Sequence, residues 1–150
     1  MSYLTVDPPR RHRLSVADYY HMAEAGSAAI VRAQDPVDLG AFSEPQPDIT
    51  LLRPRADYYR TAHPDHNDVL LVIEVADSSP RFDRETKVGL YARHGIQEVW
   101  LVDVREKQLT RYRKPAGEEY TKVDQADLRA PVDIAMLPDI VVDLKGLFAD

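Results

Sequence analysis

Cysteine is absent from the 150-residue chain, which excludes a disulfide framework and any zinc site built on thiolates, and fits a reducing compartment. No apolar run approaches the roughly 20 residues that span a bilayer. The opening MSYLTVDPPRRHR also lacks the apolar stretch of a secretory signal, so the expected setting is cytoplasmic with no membrane partner. Glycine is scarce, at six residues, and no dinucleotide fingerprint, phosphate-binding glycine loop or GxSxG elbow is present. Positive charge is not in excess either. A formal net charge of −6 argues against a dedicated nucleic-acid coat protein, because Lys and Arg supply most non-specific affinity for phosphate. It leaves an enzyme open, since a centre that gathers carboxylates around a cation is itself negative. Basic residues still cluster locally, at Arg10 to Arg13, Arg53 to Arg60, Arg81 to Lys87 and Arg105 to Lys114.

What is present describes one ordinary domain. Hydrophobic residues make up 44% and charged residues 29%, close to the globular average, so neither disorder nor a fibre is indicated. A chain of this length removes roughly two-thirds of its surface from water on folding, enough for a real core. No internal repeat or linker is visible.

LSVADYYHMAEAG reads as a short helix, with Ser15 as N-cap, Asp18 near its positive end, Leu14 and Tyr19 as a staple, and Gly26 as the stop. AIVRA, PVDL and PDITLL follow as short strand candidates separated by turn formers. The polar stretch from Arg53 to Asp68 has two prolines and no period, so it is expected to be a loop that could line a binding face. VLLVIEV, residues 69 to 75, is unbroken apolar sequence except for Glu74, the pattern of a central strand covered on both faces. A helix is expected from about Asp83 to His94, with Asp83 as N-cap and Gly95 as its end, and EVWLVDV as the next buried strand. QLTRYRK and EEYTKV alternate and are joined through Pro115, Ala116 and Gly117 as a hairpin, and DIVVDL is a last strand. Strand, helix, strand implies a parallel crossover and the hairpins antiparallel additions, giving an α/β mixed sheet.

Glu74 carries the first chemical signal. An ionised carboxylate within a core strand costs several kcal/mol unless a cation, a partner base or a raised pKa compensates it. Asp48 follows Pro47, which holds the chain extended, and precedes ITLL, so it stands at a strand entrance. Two carboxylates on neighbouring strands can share one hard cation, with carbonyl oxygen and water completing a magnesium shell; acids at strand ends also serve as caps and ion-pair partners. Lys87, on the helix that follows the Glu74 strand, lies beside the buried Val88 and could orient a water or stabilise phosphate charge, or simply pair with Glu74. His63 and His66 in HPDH read as exposed loop residues, Tyr91 as core in preference to a base-stacking ring, and Asp103 and Asp139 as turn or cap residues.

The runs SEPQPDITLLRPRADYY and DVLLVIEVADSSPRFDRETKVGLYARHGIQEVWLVDV, with HRLSVADYYHMAEAG before them, resemble the Uma-type family of restriction-endonuclease-like proteins. Order, spacing and filler residues agree, beyond the polar positions alone. The resemblance implies a restriction-endonuclease-like mixed sheet with flanking helices and a divergent PD-(D/E)XK centre. It implies one domain over residues 1–150, with an N-terminal arm and helix at 1–26 and a nuclease core at 30–148. Pro47-Asp48 then matches the PD element and Glu74 the second acid. Ala76 stands where the standard motif has lysine, and Lys87 takes that role from the following helix. Asp48, Glu74 and the Val75 carbonyl would hold magnesium, with manganese as a substitute, and DNA would be the substrate.

The resemblance departs after Gly26, where Gly26 to Ala29 bridge directly a stretch in which family members carry several tens of residues, including a long helix packed on the sheet. From that gap follow two further expectations. One sheet face is under-covered, driving a homodimer that could exchange Ser15 to Ala25. A catalytically impaired remnant that binds DNA or protein and self-associates is the competing function.

Overall fold

The computed structural model describes residues 29–40, 44–76 and 81–148. Its centre is the strand that the sequence marks most strongly. β3 (Val69–Ala76) has seven of its eight residues buried, as an unbroken apolar run requires when both faces are covered. It pairs antiparallel with β2 (Ile49–Leu52), which pairs antiparallel with β1 (Ile30–Ala33). On its other side β3 runs parallel to β4 (Glu98–Asp103), and α1 (Arg81–Arg93) makes the crossover. β5 (Gln108–Ala116) and β6 (Glu119–Gln125) extend the sheet as an antiparallel hairpin turning at Gly117 and Glu118, where Gly117 takes φ +63°. The spatial order of the six strands equals their chain order.

Gly95 ends α1 as expected. At φ +75° its N–H donates to the Ala92 carbonyl at 3.0 Å, and the Ile96 N–H donates to the Tyr91 carbonyl at 3.0 Å, the paired bonds of a Schellman stop. The start of α1 corrects the sequence reading: the helix begins at Arg81, directly after Pro80, so Asp83 lies inside it and is no N-cap. PVDL is also no strand. Pro36 removes a ladder donor, and the segment instead buries Val37 and Leu39 while Asp38 makes one isolated parallel bridge to Asp65. The helix expected from Ser15 to Gly26 lies outside the described residues.

The expectation of an under-covered face is overturned. On one side of the sheet Val72 and Val99 pack with Val88, Tyr91, Ala92 and Ile96 of α1 and its end. On the other, Ile73, Trp100 and Leu109 pack with Val132, Ile134, Val142, Leu144 and Leu147. That cover is a second hairpin, β7 (Val132–Ile134) with β8 (Leu137–Val142), followed by the C-terminal turn. β7 is too short to show a period and follows a proline, and DIVVDL reads equally well as a strand of the main sheet. Asp139 lies within β8, so it is no turn or cap residue.

Glu98, fully buried at the start of β4, fastens this cover to the sheet. It accepts from Trp100 Nε1 at 2.8 Å, Arg113 Nε at 2.7 Å and the Ala135 amide at 2.9 Å. Arg113 in turn donates to the Asp133 carbonyl and carboxylate at 3.0 and 3.1 Å.

Candidate active site

Asp48 and Glu74 meet because of the β2–β3 register. Ile49 opposes Ile73, so one step further along the antiparallel pair Asp48 opposes Glu74. Buried Pro47 keeps the approach extended, and Asp48 then closes the strand end with reciprocal bonds. Its amide donates to Glu74 Oε1 at 3.0 Å, and its Oδ2 accepts from the Val75 amide at 2.7 Å. Alternation along β3 points Glu74 to the same side as Val72, the side that α1 covers. Lys87 reaches down from α1 and places Nζ 3.0 Å from Glu74 Oε2. The Glu74 side chain is 7% exposed and that of Lys87 54%, so the pair bridges interior and solvent.

Burial pushes the Glu74 carboxyl above its ordinary value, the Asp48 charge pushes it further the same way, and Lys87 opposes both. Lys87 offsets only part of the rise at Glu74. A hard divalent cation would offset more of it, and the donor set suits one: two carboxylates and the Val75 carbonyl are all oxygen, as magnesium and manganese prefer, and magnesium ordinarily keeps several waters besides. Among the described residues no group of three or more His, Cys, Asp and Glu side chains is placed to hold a metal, so a nitrogen or sulfur cage of the zinc type is not assembled there.

A second charged pair rims the centre. Arg84, three residues before Lys87 on α1, donates to Asp103 Oδ2 at 2.9 Å, and Asp103 opposes Ala76 in the β3–β4 register. Burial would lift the Asp103 carboxyl, but the Glu106 amide and Arg84 outweigh it and hold the group below its ordinary value. The turn role read from sequence is therefore present, at 3.0 Å to the Glu106 amide, and the ion pair was missed because Arg84 is one basic residue among several.

The remaining candidates stay apart from this centre. The loop after β2 leaves at Arg53 and returns at Val69, the far ends of β2 and β3 from Asp48 and Glu74, so it does not line this site. There His63 and His66 are exposed, with His63 Nε2 3.9 Å from Glu44 Oε1. Tyr58 is exposed beneath the Arg60 guanidinium, and Tyr59 is buried beneath that of Arg55. Tyr91 is core, as its helical position indicates.

A mixed sheet whose central parallel pair is joined by one helix, with an acid at a strand entrance, an acid within the next strand and a lysine on the crossover, defines a restriction-endonuclease-like fold. The same fold is seen in a crystal structure from Anabaena variabilis described as a "putative nuclease belonging to DUF820", with a TM-score of 0.66 and 18% sequence identity over 89% of this chain and 75% of that one. The family model Uma2, "Putative restriction endonuclease", matches residues 13–145, and the chain belongs to that family. No curated protein matches the sequence. Among the described residues no helix is long and apolar enough to cross a membrane.

Proposed function

We propose that the chain is a metal-dependent endonuclease that hydrolyses DNA phosphodiester bonds in the cytoplasm, with Asp48, Glu74 and Lys87 as its working side chains. The observation that carries this reading is the convergence of the three: Val75 amide to Asp48, Asp48 amide to Glu74, and Glu74 to Lys87, in one continuous chain of contacts at 2.7 to 3.0 Å. Asp48 and Glu74, with the Val75 carbonyl, hold magnesium or manganese, which when bound supplies Lewis-acid activation of water and phosphate. The bonds from backbone amides fix both carboxylates before any ligand arrives, so little reorganisation is needed. Lys87, anchored on Glu74 at one side and open to solvent at the other, positions the attacking water and stabilises charge developing on the phosphate.

Plasmid nicking in magnesium or manganese tests the reading. Asp48→Ala and Glu74→Ala are expected to abolish cleavage, and Lys87→Ala to lower turnover roughly hundredfold with little change in cation affinity. Nicking that survives both acid substitutions, or excess chelator, would rule out this site as its source, and a wild type that binds DNA without nicking it would favour the non-catalytic binding module. A homodimer belongs to this proposal on narrower ground than the sequence offered. With both faces covered, the ground is an edge strand: β6, like β1 at the other end of the sheet, has a strand neighbour on one side only among the described residues, and it carries the exposed Val123. Light scattering that gives a single-chain mass at micromolar concentration excludes the dimer.

A further inference from the structure

Among the described residues three tyrosines are buried on the α1 side of the sheet, and two of them have backbone acceptors. Tyr59 Oη donates to the Arg53 carbonyl and Tyr120 Oη to the Ile96 carbonyl, each at 2.7 Å. Tyr91 is the most deeply buried of the three, at 1% exposure, and its Oη has no hydrogen-bond partner among the described residues. A buried hydroxyl without a partner carries the full desolvation cost of the group, so a native fold that keeps one has a use or a further partner for it.

Its position says where that partner lies. Tyr91 follows Lys87 by four residues, which puts both on one face of α1, above the side of β3 that carries Val72 and Glu74. The Schellman stop fixes the Tyr91 backbone, because its carbonyl receives the Ile96 amide. Burial raises the Tyr91 phenol above its ordinary pKa, and the Glu74 and then the Asp48 charges raise it further, so both carboxylates lie within electrostatic reach of the ring. Tyr91 Oη, Glu74 and Asp48 together offer the two to four polar partners that a buried water needs.

We propose that Tyr91 is a positioning residue of the carboxylate centre, its hydroxyl reaching Glu74 through one bridging water and holding that carboxylate from the interior while Lys87 holds it from the solvent side. The bridge itself requires only these residues; its effect on cation affinity rests on the cation-site reading above. A carboxylate fixed from both sides is the better ligand, and groups that orient metal ligands in this way are worth about ten- to a hundredfold in affinity. A plain core tyrosine predicts otherwise: removing an unpaired hydroxyl would leave cation affinity unchanged.

The test compares wild type, Tyr91→Phe and Glu74→Ala by calorimetric manganese titration, thermal unfolding in chelator, and metal-free crystal structures. The expected results are an ordered water within hydrogen-bond distance of both Tyr91 Oη and Glu74 in wild type and its loss in Tyr91→Phe. Manganese binding in Tyr91→Phe should be about tenfold weaker, with the unfolding temperature unchanged or raised. Wild type without that water overturns the proposal. So does Tyr91→Phe with wild-type affinity, while manganese binding that Glu74→Ala removes would leave the cation site standing. Conversely, wild type that shows the water and binds no manganese refutes the cation site and upholds the bridge.

Discussion

Two glutamates are buried in neighbouring parallel strands of this sheet, and their surroundings differ in kind. Glu98 at the start of β4 has a guanidinium, an indole N–H and a backbone amide, two of them on one oxygen. Glu74 near the end of β3 has one backbone amide, one half-exposed lysine, and a second carboxylate beside it. Both residues are buried, at 0% and 5% exposure, so burial alone does not separate structure from function. The partners do. A carboxylate surrounded by donors from three elements holds the fold together, whereas one set beside a like charge is the candidate for a working residue.

Substitution of each in turn is the sharpest way to break the comparison. Glu74→Gln is expected to abolish cleavage, the largest effect, while leaving the fold intact by circular dichroism. Glu98→Ala is expected to destabilise by about 3 kcal/mol, since removing one partner of a buried ion pair strands the other, and urea unfolding measures it. Activity of Glu98→Ala should fall only as far as its folded population falls. A stable Glu98→Ala protein, or an unfolded Glu74→Gln protein, would erase the distinction.

The smallest expected effect is on pH dependence. Because the folded-state pKa of Glu74 is raised, its contribution to stability is fully present below its unfolded value and is lost as pH rises through the folded value. Glu74→Gln removes that loss. The variant should match wild type near pH 4 and exceed it in stability toward pH 8. Thermal unfolding across that range in chelator checks it, and a variant less stable than wild type at pH 8 contradicts the reading of Glu74 as strained.

How much of this was legible from sequence follows from the same contrast. Glu74 was visible because a carboxylate interrupts VLLVIEV, a conflict that local pattern reveals. Asp48 and Lys87 were then fixed by strand order and by the family resemblance. Glu98 was not visible, because it opens its strand and its partners Arg113 and Ala135 lie 15 and 37 residues away. The β7–β8 cover was missed for a related reason: three residues of VDI carry no period, and only the packed sheet shows what they cover. Tyr91 was read correctly as core, but its hydroxyl is exceptional only beside those of Tyr59 and Tyr120, a comparison that needs the hydrogen bonds.

The second hairpin also sets a schedule for the chain as it is made. The strands and helix that carry Asp48, Glu74 and Lys87 are complete at Arg93, whereas the residues that seal the opposite side of the sheet run from Val132 to Leu147. At about 5–20 residues per second of synthesis, that side waits on the order of seconds for its seal. Trp100 is fully buried among the residues of that seal. The elements that carry the candidate site are thus translated before the hairpin that covers the opposite side of the sheet.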